Sequence, residues 1–473
     1  MPILRRSCEA CAKSKHSCDL LTPRCSRCQK RRVECKYVNE PGPLTLPSKP
    51  TPSPPAGPLA SQRFSSLDPF ESYPRTRLPR PHVQRLMHSF LNKIAFQYYP
   101  LDLDPTSNPF LVSWWPVALG DPALFHVSLQ TACLDEEMLS QTGFRTSELL
   151  MADSVALLRR KLDDTPLALQ DGTLNAVITL ALIEHGKANT EISKMHISGV
   201  KRLVHLRGGI NAIRQTSPLT ARMVPWVSLL ITGSPQFPAQ SDDGIGCGIS
   251  PIPEWQSTAL SPDHQPLDPN LSLVVDPDIL SIFLRLRRLF YATRNDPLQP
   301  TQLHDLACFV IHRMLLSPQP KESSAVELQV EGLLVEEPFY VAGESPASPL
   351  TECIRYGVVL YMFIAQGPTY FPHGMIFRRF TARYTEYLKQ LVWSELDTLE
   401  VWFLALGLVA AEGTEEYEWF AERARELVSR LELQSWVDVF AMVRGVLWLE
   451  TDKGEEVFQQ HWEGVFGEGE GEH

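Results

Sequence analysis

Residues 8 to 35, CEACAKSKHSCDLLTPRCSRCQKRRVEC, hold six of the chain's ten cysteines: Cys8, Cys11, Cys18, Cys25, Cys28 and Cys35. They are separated by two, six, six, two and six residues, which makes two near-copies of a C-x2-C-x6-C unit. A C-x2-C pair can turn both sulfurs toward one metal ion, and the third cysteine of each unit can return after a short helical segment. Tetrahedral zinc takes four ligands, so two zinc ions need eight ligand positions, and six thiolates fill them when two thiolates bridge. So short a segment has no apolar core of its own, and metal would supply its fold. The spacing therefore predicts two zinc ions on six cysteines.

Charge separates this head from the rest. Residues 1 to 40 carry ten Lys and Arg against four acids, a balance of +6, which leaves −17 for the remainder of a chain whose net charge is −11. A basic head on an acidic body points to a polyanionic partner for the head. Six thiolates with two Zn²⁺ leave the cluster at −2, so part of the basic charge lowers the thiol pKa values, and the excess can meet phosphates.

The six cysteines resemble the fungal binuclear zinc cluster, a DNA-binding domain of transcription factors. The resemblance covers about thirty residues. It implies that Cys8 and Cys25 are the bridging ligands, and Pro23 stands two residues before the fourth cysteine, where the family carries a proline. It implies that the first short helix reads bases, with Lys15 matching the principal base-reading lysine, and that double-stranded DNA with a CGG-like site is the partner. Lys13 and His16 flank that lysine, and Arg5, Arg6, Arg27, Lys30 and Arg31 are the candidates for phosphate contacts. Ala12 and Ser17 stand where the family commonly has basic residues, which keeps open a second reading as a helical scaffold or co-regulator with weakened DNA binding.

Residues 39 to 81 hold twelve prolines, which forbid a continuous helix and any a/d heptad seam, and predict an extended linker. From residue 82 the dominant period is helical. Val83, Leu86, Met87, Phe90, Leu91, Ile94 and Tyr98 form one apolar face. DPALFHVSLQTACLDEEML opens on Asp-Pro; TSELLMADSVALLRRKLDD offers Thr146 and Ser147 as caps; TEISKMHISGVKRLVHLRGG starts at Thr190 and stops at Gly208-Gly209. Further helical stretches run to about residue 450, with long loops expected at about 233 to 275 and 318 to 349. The expected fold is all-α, divided into a zinc cluster domain at 1–40, a linker at 41–81, a helical regulatory domain at 82–450 and an acidic tail at 451–473. The stretches NPFLVSWWPVALGDPALFHVSLQTAC and HISGVKRLVHLRGGINAI, with Trp402, Trp419 and Trp448, resemble the fungal-specific transcription factor domain, which implies a regulatory role.

Other chemistry is not signalled. The sequence has no GxSxG, HExxH or P-loop, and DGIGCGISP reads as a loop, closed by Pro251 and Pro253. His196 and His205 are too far apart on one helix to share a metal and read as structural. Cys133, Cys247, Cys308 and Cys353 are scattered and read as buried and inert. A thiol redox protein would need one C-x2-C pair on a sheet-containing scaffold, which neither the six-thiol spacing nor the helical body supplies. No window reaches the roughly 18 apolar residues of a membrane helix, and the N-terminus lacks an apolar run of signal-peptide length. The last residues alternate acids with Phe458, Trp462 and Phe466, a composition of segments that fold on a coactivator. Together these features predict a nuclear, non-enzymatic RNA polymerase II transcription factor of fungal type. It would act on pathway genes, a metabolic gene cluster among the possibilities, and a small-molecule effector would be of unknown identity.

Overall fold

The computed structural model of the 473-residue chain describes residues 9–14, 25–35, 73–97, 104–141, 143–258, 271–317, 348–367, 372–393 and 396–467. The chain divides into two compact units, Met1–Ser66 and Leu67–His473. Among the described residues there are helices and one isolated bridge between Ala239 and Ile249, and no strand. The all-α expectation is met.

In the first unit two short helices, α1 (Glu9–Lys13) and α2 (Ser26–Arg31), lie in contact. Cys25 caps α2: its backbone is extended and its Sγ accepts from the amide of Cys28 at 3.4 Å. Arg32 ends that helix in the left-handed region, φ 53°, with its N–H turned back onto the last turn.

The second unit carries fourteen longer helices that this account uses. They are α3 (Arg80–Ser89), α4 (Pro122–Ser140), α5 (Arg145–Leu162), α6 (Asp171–Gly186), α7 (Thr190–Leu206), α8 (Pro218–Thr232), α9 (Pro277–Ala292), α10 (Pro300–Leu316), α11 (Pro349–Gln366), α12 (Pro372–Leu388), α13 (Asp397–Ala410), α14 (Tyr417–Leu431), α15 (Trp436–Val446) and α16 (Asp452–Gly467). Proline opens many of them, because its fixed φ suits the first turn and its missing N–H is not needed there. Asp121 caps α4 through the amides of Ala123 at 3.0 Å and Leu124 at 3.3 Å, and Asp276 and Ser348 do the same for α9 and α11. Thr146 and Ser147 do not cap α5 as expected. The carboxylate of Glu137, on the preceding helix, accepts from their amides at 2.7 and 3.2 Å and takes that role.

Three helices are buried on every side: α6 from Gly172 to Glu184, α11 from Leu350 to Phe363, and α13 from Leu399 to Ala410. Amphipathic helices wrap them. Around α6 lie α4, α7 and α8; around α11 lie α9, α10 and α12; around α13 lie α14, α15 and α16. Helix α8 also touches α10 and α12, and one continuous apolar core runs from Val83 to Val465. Close approach is bought with glycine at Gly407, where a Cβ would come within 2.0 Å of the Phe420 ring.

Three boundaries differ from the sequence reading. The body reaches back before residue 82: Tyr73 stacks on Phe125 at 5.6 Å, and α3 starts at Arg80. The acidic segment after 450 is not a free tail, since α16 buries Phe458, Trp462 and Val465 in the core. The expected loop at 233–275 contains the short helices Pro253–Ser257 and Leu271–Val274, with Trp255 fully buried. The linker up to residue 72, most of the loop at 318–349, and residues 468–473 lie outside the described residues.

Candidate metal centre and nucleic-acid interface

The first unit's core is made of sulfur. Cys11, Cys25, Cys28 and Cys35 are its buried residues, with Ala10 packed against them. The ligand atoms of Cys11, Cys25 and Cys28 all lie within 4.8 Å of one another. Cys11 Sγ and Cys25 Sγ are 3.7 Å apart, far beyond the roughly 2.05 Å of a disulfide. A tetrahedral ion with zinc–sulfur bonds of about 2.3 Å spaces its sulfurs about 3.8 Å apart. The observed separation would suit two thiolates on one zinc. Cys25 is the hub: besides its contact with Cys11 it accepts from Cys28 N, and its own amide donates to Cys35 Sγ at 3.4 Å. Four buried cysteine sulfurs converging in a unit with no apolar core among its described residues fit zinc, which would bind as a structural ion and hold α1 against α2.

The basic residues sit outside this core. Lys13 ends α1 and is exposed, Lys30 and Arg31 are exposed in the last turn of α2, and Arg27 is half-buried. Cys8, Cys18, Pro23, Arg5, Arg6, Lys15 and His16 lie outside the described residues.

In the body, burial pushes the Cys133 thiol up to about 12, aided by Glu137 and Glu136, and raises Cys308 and Cys353 further. These three are buried, as expected; Cys247 is exposed, contrary to expectation, because the glycine-rich loop carries it at the surface. His196 is half-buried, and burial lowers its pKa, as a structural histidine requires. A cleft of about 550 Å³ lined by Trp114, Asn175 and Arg222 has no counterpart in the sequence reading. Its signal was the amide of Asn175 inside the otherwise apolar run of α6. No helix among the described residues is long and apolar enough to cross a membrane.

Comparison with known proteins agrees with both units. Residues 6–43 match the fungal Zn(2)-Cys(6) binuclear cluster domain, and residues 85–231 match the fungal specific transcription factor domain. The two matches fall one in each compact unit, and each is a likeness of the residues matched. A protein named as a transcription factor in Pseudocercospora fijiensis (strain CIRAD86) is 57% identical over 35 residues, which is 7% of this chain and 8% of that protein. No solved structure matches the chain.

Proposed function

We propose that the chain is a nuclear transcription factor that binds double-stranded DNA through its N-terminal head and regulates genes read by RNA polymerase II. Two zinc ions on Cys8, Cys11, Cys18, Cys25, Cys28 and Cys35, with Cys8 and Cys25 shared, hold the short helix between the second and third cysteines. Its tip enters the major groove, where Lys15 donates to the O6 and N7 acceptors of guanine in a CGG-like site, with Lys13 and His16 beside it. Arg5, Arg6, Arg27, Lys30 and Arg31 meet phosphates. The body then serves regulation, pathway genes being its field.

The observation that supports this reading most is the buried knot of cysteine sulfurs centred on Cys25, with Lys13, Lys30 and Arg31 exposed in the same unit, in a segment that matches a binuclear cluster domain. Titrations of matched CGG and altered duplexes at several salt concentrations test it. Lys15→Ala should erase the preference, a loss of about 1–3 kcal/mol of discrimination, while Arg31→Ala should weaken both duplexes alike and lower the salt slope by about one. A Lys15→Ala protein that keeps the wild-type ratio refutes the base-reading role.

A further inference from the structure

Helix α7 has two faces. Ser193, Ile197, Val200, Leu203 and Val204 are buried, and the helix packs on α6 and α8. The other side of a helix lying on the surface should be polar, yet Ile192 is 44% exposed, Met195 62% and Leu206 67%. Helices α3 and α14, which also keep one side in solvent, expose no large apolar residue.

Their spacing turns these residues into a seam. Ile192, Gly199 and Leu206 recur every seven residues, and Met195 and Arg202 stand three places after the first two. That is the a/d repeat through which one helix meets another, and here it faces solvent. Gly199 lies at its centre, and a Cβ added there would find nothing within 4 Å. A glycine inside a helix weakens it relative to alanine, and no neighbour among the described residues calls for one here. It leaves room for a second backbone to come close.

Charge selects the occupant. Lys194 is tied to Glu191 at 3.1 Å, whereas Lys201 reaches only the neutral amide of Gln236 at 3.3 Å and Arg202 has no ion pair among the described residues. Glu191, Lys194, Lys201 and Arg202 give this side of α7 a balance of +2, while residues 41–473 as a whole carry −17. A second copy of the chain would set +2 against +2. An anionic membrane would take the apolar side chains but would be repelled by the acidic body around them. An acidic helix with apolar residues at the same interval matches both the seam and its charge.

We propose that the outward seam of α7 is a docking surface for an acidic amphipathic helix of another protein. Apolar residues of that helix pack on Ile192, Met195 and Leu206, its backbone crosses at Gly199, and its carboxylates meet Lys201 and Arg202. The inference goes beyond DNA binding and does not use it.

The test uses the full zinc-loaded chain and a fluorescein-labelled peptide about three heptads long, with Leu at a and d and with Glu at e and g to keep it from self-pairing. Fluorescence anisotropy should show one peptide bound per chain, with an affinity that falls as salt rises. A peptide with Lys in place of every Glu should bind about tenfold more weakly, and Arg202→Glu should narrow or reverse that preference. Met195→Gln and Leu206→Gln together should weaken the Glu peptide about tenfold, with the melting temperature unchanged because both side chains are exposed. Gly199→Trp, which enters open space, should abolish binding, and it carries the test should the double variant lose stability. The proposal is overturned if the Glu peptide does not saturate, if the Lys peptide binds as well, or if binding survives Gly199→Trp. It is equally overturned if the seam is taken by a second copy, seen in sedimentation as a dimer that Gly199→Trp breaks, or by phosphatidylserine vesicles that displace the peptide.

Discussion

Glu352 and Arg355 sit one turn apart on α11, each about 1% exposed, with Arg355 Nε donating to Glu352 Oε1 at 3.1 Å. Burial raises the Glu352 pKa and Arg355 opposes that rise. Arg355 also donates to the carbonyls of Met314 and Ser317 at the end of α10, so one side chain serves a buried charge and a helix terminus. Arg355→Met should therefore cost about 3–5 kcal/mol, the penalty of an uncompensated buried carboxylate. Adding Glu352→Leu should recover part of it and not all, because the α10 carbonyls stay uncapped; denaturant midpoints of the two variants measure this. Recovery to wild type would mean that the α10 contacts contribute nothing. His304 and His312 act in the opposite sense. Both are fully buried, and burial lowers each pKa from 6.5 to about 4. The unfolded chain then binds more protons than the folded one below pH 6.5, so stability falls as pH drops from there toward 4 and levels off below it. Each ring is worth up to about 3 kcal/mol by this linkage. Gln366 Nε2, 2.7 Å from His304 Nδ1, donates to the neutral ring and favours that form. Melting curves between pH 7 and pH 4 should slide downward, and His312→Leu should flatten part of the slide; a His312→Leu protein with an unchanged slope removes His312 from the account.

At the scale of elements, α16 decides what the acidic end of the chain is for. Phe458, Trp462 and Val465 are buried against α13, α14 and α15, while Glu456 and Glu463 of the same helix are exposed. Truncation after Glu450 removes two buried aromatics, each worth about 3–5 kcal/mol, from a body whose whole stability should be of the order of 5–15 kcal/mol. The shortened chain should lose near-ultraviolet circular dichroism and cooperative melting. If it melted like the full chain, α16 would be dispensable to the fold and its aromatics would be available to a partner. Alternation of acids and aromatics is shared by disordered segments and by amphipathic helices, so composition could not separate them at α16. The same ambiguity hid α6. Its run from Gly172 to Ile183 is buried all round and therefore has little helical period to detect, whereas α5, α7 and α14, with one wet face, were legible at once. The caps divide on distance in sequence. Asp121 is adjacent to the helix it starts and could be read; Glu137 caps α5 from the preceding helix, and no local pattern announces that. In the head, the spacing of six cysteines was readable because metal ligation fixes residue type and interval together, and the resemblance already implied a bridging role for Cys25; its contacts with Cys11 and Cys35 needed coordinates.

On the scale of the whole molecule the chain has two cores of different material, thiols in residues 11–35 and hydrocarbon from Val83 onward, and they share no residue. Their stabilities should answer to different variables. Binding free energy of the metal is the folding free energy of so small a unit, so chelation should unfold the head outright. Among the described residues of the body the buried cysteines stand apart on α4, α10 and α11 and form no cluster of metal-ligating groups, and burial raises their thiol pKa values. Calorimetry of the full chain with and without chelator should thus give one main endotherm at an unchanged temperature, together with loss of zinc and of any DNA binding. Elemental analysis of the untreated chain should give two zinc ions per molecule. A single zinc would remove the bridging scheme, and a body endotherm that falls on chelation would show that the second unit depends on metal after all.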